Sequence, residues 1–460
     1  MNLEPKVNLQ EPTIIQRQGH NMPCTMHLDR AQTASVPFRA LRSKILVALA
    51  ALASLWPSVS QADPTISEAR TSPIASGLGG KSSVPAQIAA DQDRQAEPMF
   101  ANSSKRYYEF KDRLDAQSGL SFGGDFNLLT QHASSSPGAR NATGGVFRFY
   151  GNWTPVGRGT PDTGSLIFKI ENRSKIGSAI SPQGLGPALG YAGLTAVTFS
   201  DAGWLLTNLY WEQSFNNNAW AFVSGIVDTT DYVDAYALGN PWTDFNNLAF
   251  STNPTMPAPN QGLGAAVRAN LGSNYFVLAG IADATGQPDD PIQGIENVFE
   301  TGETFKHIAV GWYGSWAKRF DDNIQLTAWQ IDARSAAGIG SGWGAAFSAS
   351  TKFDSGWAPF FRAGYADGGG ALVDRTVSVG TGYDLFGGRD LAAIGLNWAR
   401  APGTATMPDP RDQFTAEAFY RYQPFSNVQI TPSLQLIANP AYDPTQSMDT
   451  VVSLRVRVAF

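Results

Sequence analysis

The chain has 460 residues, of which 16% are charged and 11% aromatic, with 46 Gly, 12 Trp and a formal net charge of -6. An acidic chain without a basic patch excludes a nucleic-acid footprint. Outside one stretch near the start, no run approaches the roughly 18 apolar residues that a membrane helix requires, so any membrane crossing must use strands.

That stretch is ILVALAALASLW, residues 45–56, preceded by Arg39, Arg42 and Lys44 and followed by the small residues Ser60 and Ala62. A cationic flank, an apolar run and small residues at the cleavage spacing predict a secretory signal, with residues 1–62 as leader and signal peptide and Asp63 as the first mature residue. The long stretch upstream predicts either a translation start beyond Met1, with Met26 the nearest internal methionine, or a long natural leader. Cleavage would remove Cys24, the only cysteine. The mature chain would then hold no disulfide although an exported compartment permits one. Residues 1–62 carry six Lys or Arg against three Asp or Glu, which leaves the mature chain near -9.

Residues 63–104 are rich in Ala, Ser, Gln and Pro and poor in large apolar side chains, which predicts a flexible periplasmic lead-in. YYEFKDRLDAQSG then sets Tyr107, Phe110 and Leu114 at helical spacing before Gly119, which predicts one short helix. No further helix of ordinary length is expected.

From 105 to 460 the chain reads as one all-β domain. Period-two segments of about ten residues succeed one another from 120–131 to 449–460, about sixteen in all. In GGVFRFYGNW, Phe147, Phe149 and Trp153 oppose Arg148, Tyr150 and Asn152. NIQLTAWQIDAR changes phase near Ala328 and leaves its orientation open. The joints alternate between tight turns (FNNN, LGSN, AKRFDD, FDSG, LFGG, PFSN) and long connections such as 174–202, 229–261 and 284–304. That asymmetry predicts a transmembrane up-and-down antiparallel β-barrel of about 16 strands with a short N-terminal helix, its turns periplasmic and its long loops outside. Backbone groups in lipid must be satisfied internally, so such a sheet has to close on itself. The last strand, VVSLRVRVAF, would turn Val452, Leu454, Val456, Val458 and Phe460 to lipid, with Arg455 and Arg457 to a wet lumen. Trp204, Trp211, Trp312, Trp316, Trp343, Trp357 and Trp398 read as interfacial girdle or wall residues.

Several stretches together resemble the carbohydrate-selective porin family of Gram-negative outer membranes. They are GRGTPDTGSLIFKIENR, SGIVDTTDYVD, NPWTDFNNLAFS, GLGAAV, VLAGIADATG and SLQLIANPAYDPTQSMDTVVSLRVRVAF, in an order that runs from about Arg106 to Phe460. The resemblance implies a passive, sugar-admitting barrel of sixteen strands in the outer membrane, without cofactor, surrounded by lipid. A terminal Phe460 is also the sorting signal by which such barrels engage the assembly machinery. Monomer and homo-oligomer both remain open.

A sugar pore needs hydroxyl-binding charges and an aromatic face at its narrowest point. In SLIFKIENR, Leu166, Phe168 and Ile170 share one face, so Lys169, Glu171 and Arg173 project from the other, joined by Arg148 from the preceding strand. Opposite charges placed this way suit charge-assisted bonds to hydroxyls, or a salt-bridge ladder that stiffens the wall. The long connection 229–261 supplies the second set, because loops of this length are usually functional or disordered. Asp228 stands at its root, and Asp231, Asp234, Tyr236, Trp242, Asp244 and Phe245 lie along it. Asp228, Asp231, Tyr236 and Trp242 are the candidate constriction residues, with Tyr236 or Trp242 as a stacking face or Trp242 and Phe245 as loop anchors. Arg362, Glu417, Arg421, Arg455 and Arg457 are expected to set the lumen field.

Catalysis is not expected: of the four His only His132 and His307 follow the signal, and no GxSxG, HExxH or cysteine pair is present. The spacing of Asp228, Asp231 and Asp234 lacks the Gly and terminal Glu of a calcium loop, so no metal is expected. A rival reading is a diffusion porin that is general or prefers organic acids, since an arginine-rich lumen also suits anions.

Overall fold

Sixteen strands pair in sequence order, and the first hydrogen-bonds to the last. The computed structural model describes residues 78–92 and 97–460. The expected signal peptide and translation start lie outside the described residues. The strands are β1 (Leu120–Ala133), β2 (Asn141–Val156), β3 (Gly164–Lys175), β4 (Gly203–Phe215), β5 (Trp220–Val227), β6 (Gly262–Leu271), β7 (Tyr275–Asp283) and β8 (Thr304–Tyr313). They continue as β9 (Asn323–Ile331), β10 (Gly342–Ser350), β11 (Trp357–Gly368), β12 (Arg375–Leu385), β13 (Asp390–Arg400), β14 (Gln413–Phe425), β15 (Val428–Ala438) and β16 (Met448–Ala459). Every ladder is antiparallel, and closure runs from Asp125 opposite Ala459 to Ala133 opposite Val451. A closed sheet leaves no row of unpaired backbone groups for lipid to meet.

Period two then decides what each side chain meets. In β16, Val452, Leu454 and Val458 are exposed, whereas Ser453, Arg455 and Arg457 are buried in the lumen. The expected phase change in β9 does not occur. Asn323, Gln325, Thr327, Trp329 and Ile331 all face inward. Trp329 and Ile331 blurred the pattern because, at the long-loop end of the barrel, the inner wall is apolar and packs with Phe305 and Tyr232.

Tight turns close one end. Asn216, Asn217 and Asn218 in the β4–β5 turn have φ of 59, 55 and 58°, a left-handed run that asparagine tolerates better than other side chains do. The other end carries the long connections, here called L2 (176–202), L3 (228–261) and L4 (284–303). The wall is least regular beneath them. β5 is short and its pairing with β4 begins only at Leu209 opposite Ile226, so residues 203–208 of β4 pair with β3 alone. A register shift lies between Lys169 and Ile170, and the Leu206 amide donates to Pro288 O of L4 at 2.8 Å.

Helical structure exceeds the expectation. The helix foreseen near Tyr107 is α2 (Ala101–Ser118), ended as expected by Gly119 in a left-handed conformation, and it straddles the boundary placed at 104/105. It is preceded by α1 (Val84–Gln92) and followed by α3 (Pro182–Ala188) in L2 and α4 (Pro291–Thr301) in L4. α4 went unread although its signals were present: Asp290 caps the Gln293 amide, Pro291 opens the first turn and Gly302 stops it. α1 lies within 63–104, where a flexible lead-in is expected, and its Val84, Gln87 and Ile88 are buried.

The closing seam yields a test. The Phe460 amide donates to Gly124 O at 2.8 Å, its carbonyl accepts from Gly124 N at 3.1 Å, and its ring stacks on Phe147 at 6.2 Å. Deleting Phe460 removes both bonds and the outer aromatic contact, so the yield of folded barrel, read as the heat-modifiable band on a gel, should fall several-fold; wild-type yield would rule out a role for this residue in closure.

Candidate functional site

Parity along β2 and β3 turns Arg148, Tyr150, Ile167, Lys169 and Glu171 into the lumen, and register sets Arg148 opposite Glu171 and Tyr150 opposite Lys169. The Arg148 guanidinium reaches across β1: Nε donates to Asp125 Oδ1 at 2.8 Å and Nη2 to Oδ2. Asp125 Oδ2 also accepts from Arg457 Nε at 2.7 Å, so one carboxylate from β1 is held between guanidiniums of β2 and β16. Charged hydrogen bonds of this kind are among the stronger ones available.

A second pairing lies alongside. Glu171 Oε2 accepts from Arg173 Nε at 2.7 Å, and Lys169 Nζ stands 3.8 Å from Glu171 Oε1 and 3.7 Å from Asp231 Oδ2. Asn208 Nδ2 donates to Asp231 at 3.1 Å. Trp242, from L3, lies over this group. Its ring centroid is 3.9 Å from the Arg148 guanidinium carbon and 6.0 Å from that of Arg173, a cation–π contact. Arg148, Lys169, Glu171, Arg173, Asp231 and Trp242 therefore meet in one cluster.

Two further candidates bond within L3 and to the wall. Asp228 ties the neck of L3, accepting from the Thr230 amide at 3.0 Å and from Gln261 Nε2 at 2.7 Å. Tyr236 anchors L3 to the far wall: its hydroxyl donates to Phe250 O, and its ring packs on Phe360 beneath the Arg362 guanidinium. Four residues expected only to set the lumen field are clamps on L3. Arg362 pairs with Asp234, Arg421 pairs with Asp244 at 3.2 Å, and Arg455 donates to Pro241 O at 2.9 Å and Asp244 O at 2.7 Å. Glu417 accepts from the amides of Asn246 at 3.0 Å and Asn247 at 2.9 Å. Around these bonds Tyr236, Phe245, Phe250, Phe360 and Phe419 form an apolar core inside the barrel. Trp316 is likewise no girdle residue. It lies between the guanidiniums of Arg268 and Arg319, 4.4 and 4.1 Å from its ring.

Sequence reading missed Asp125, Asn127, Asn208 and Asp91. The first two were within reach, because alternation in LSFGGDFNLLTQHA places them on the inner face with Leu129 and Gln131. Asn208 follows the β4 bulge, where simple parity fails. Asp91 comes from the segment read as lead-in. It accepts from Tyr150 OH at 2.6 Å and from Arg457 Nη2 at 3.1 Å. Within the cluster, Glu171 Oε1, Asn127 Oδ1 and Asn208 Oδ1 are buried and accept no hydrogen bond from the protein. Buried acceptors of this kind call for a donor.

The architecture has counterparts among solved structures. The high-pH structure of Pseudomonas putida OprB superimposes with a TM-score of 0.60 at 13% identity, over 80% of this chain and 99% of that one. This chain has a porin fold. A triple mutant of the Rhodopseudomonas blastica porin is also similar, with a TM-score of 0.46 at 16% identity over 74% of this chain and 100% of that one. Residues 313–460 match the family model described as carbohydrate-selective porin, OprB family. The match supports the resemblance read from sequence over the closing strands, and the stretches quoted from the first two thirds of the chain lie outside it. No curated protein sequence matches significantly.

Two measurements probe the cluster. Asp125→Ala would take the carboxylate from buried Arg148 and leave Arg457 with Asp91, and breaking such a pair typically costs about 3–5 kcal/mol. Equilibrium unfolding in denaturant should show that loss, and a change below about 1 kcal/mol would mean that the guanidiniums find other partners. Burial pushes the Asp231 carboxyl up to about 7 against the attraction of Lys169, with Asp228 adding to the rise. Ionisation then adds negative charge as the pH rises. Reversal potentials in a KCl gradient should move toward cation selectivity through about pH 7. Asp231→Asn should abolish that movement, and an equal shift in the variant would assign the titration to another group.

Proposed function

We propose that the protein is an outer-membrane porin for passive, selective diffusion of sugars of the monosaccharide type, with the Arg148–Glu171 cluster and Trp242 as its constriction. One observation carries the reading: each charged group of the cluster stands beside an opposite one, and the charges balance once Asp231 is ionised. Asp91, Asp125, Glu171 and Asp231 stand against Arg148, Lys169, Arg173 and Arg457, each within reach of an opposite partner. A balanced array does not concentrate small anions. It offers fixed donors and acceptors to a neutral solute dense in hydroxyls, which can accept from guanidinium and donate to carboxylate. The Oδ1 atoms of Asn127 and Asn208, which accept no hydrogen bond from the protein, are suited to hydroxyl donors, and the Trp242 ring to the apolar side of a pyranose.

No chemical step is required. The protein lowers the barrier to passage by replacing part of a sugar's hydration shell with side chains already in position, and binding must stay weak enough for release. The organic-acid reading draws on the same arginines, but it would need guanidiniums less fully paired than these.

In planar bilayers, glucose should block ion conductance at lower concentration than succinate or lactate does. Equal or greater sensitivity to the acids would favour the rival. Glu171→Gln or Arg173→Ala should weaken glucose block several-fold while the barrel still assembles, and unchanged block in both variants would remove these residues from the constriction.

A further inference from the structure

A lumen wall built only to face water has no use for apolar side chains, yet at its short-turn half this one presents Tyr150, Ile167, Tyr210 and Val223 inward. What covers them is the chain's own N-terminal segment. Val84 and Ile88 of α1 pack into that patch, and both are buried. We propose that residues 78–92 are a built-in plug that closes the periplasmic mouth of the barrel and governs how much of the pore is open.

Polar fastenings hold the segment to several parts of the barrel, among them Asn240 Nδ2 of L3, which donates to Lys81 O at 3.3 Å. The Leu78 amide donates to Glu212 Oε2 on β4 at 3.2 Å. The Gly80 amide donates to Asp231 O in L3 at 2.6 Å. Lys81 Nζ pairs with Asp321 in the β8–β9 turn at 2.7 Å. Asp91 bonds Tyr150 and Arg457, so the plug supplies one of the four acids of the constriction. Burial opposes the Lys81 charge, but Asp321 and Asp244 outweigh it and hold the ammonium above its ordinary range. Closeness of fit is visible at Gly80, where a Cβ would stand 2.5 Å from Ala235 Cβ. Beside Gly80 and Trp316 a cavity of about 60 Å³ remains, room for roughly four waters at about 15 Å³ each and not for a hexose.

The fastenings are polar, and the apolar contact is Leu78 and one face of a nine-residue helix. Such a segment belongs to the low-stability end of a fold and can leave without unzipping a strand. Its departure would uncover Arg457 and the Tyr150 hydroxyl from below. The proposal rests on the pore reading in needing an open state, but not on the identity of the solute.

Conductance in KCl without sugar therefore tests it apart from the sugar reading. The mature chain lacking residues 78–92 should show single-channel conductance several-fold above that of the intact chain, and equal conductance overturns the proposal. Should the deletion fail to fold, the intact chain with Lys81→Ala and Asp91→Ala serves. Its open time should lengthen several-fold. With Cys24→Ser and Ser83→Cys added, the buried position 83 should react with a maleimide several-fold faster than in the same chain with Lys81 and Asp91 intact. No change in either measurement overturns the proposal equally.

Discussion

Everything in this molecule depends on the seam where β1 meets β16, because a sheet in hydrocarbon is tolerable only without an edge. Backbone bonds make that seam continuous, and Asp125 marks it on the lumen side. Its carboxylate binds Arg148 of β2 and Arg457 of β16 at once, so a residue on the join also holds two guanidiniums of the lumen cluster. Closing the wall and arranging the pore charges are thus one act. The same fact explains why the charges can be buried at all: each is paired before it is hidden, whereas an isolated buried ion would cost far more than the fold could tolerate.

The interior is less a hollow tube than a second core. L3 turns inward, its neck tied by Asp228 and Gln261, and its phenylalanines pack together against Phe360 and Phe419 of the wall. Arginines of β11, β14 and β16 hold its carbonyls and carboxylates. Such bonds fix the loop backbone, which is what allows Trp242 to stand at a set distance from Arg148.

How much of this could be read beforehand follows from what generates each signal. Strands were legible because lipid on one side and lumen on the other enforce period two, and the tight turns supply Asn and Gly at fixed places. The wall members of the site were legible for the same reason: once Leu166, Phe168 and Ile170 face out, Lys169 and Glu171 must face in. Trp329 and Ile331 defeated the same rule, since a lumen filled with protein lets apolar residues point inward. Alternation says nothing about which way the loop side chain of Tyr236 turns, and it turns to Phe360 and Arg362 of the wall. Asp91 left no trace, for a small polar helix that packs inside a barrel looks in sequence like the Ala- and Gln-rich spacer around it.

The short β5 has a bearing on how the wall would fail under load. Above Leu209, β4 is laced on one side only, and its free edge leans on the Leu206–Pro288 contact. A cylinder whose staves are all fastened on both sides has no preferred place to split; this one has a notch at its outer rim. Mechanical pulling or heat would start a tear there and run it down between β4 and β5, so a staple across that gap would toughen the whole cylinder more than one placed from β10 to β13, where the ladders run without a register shift.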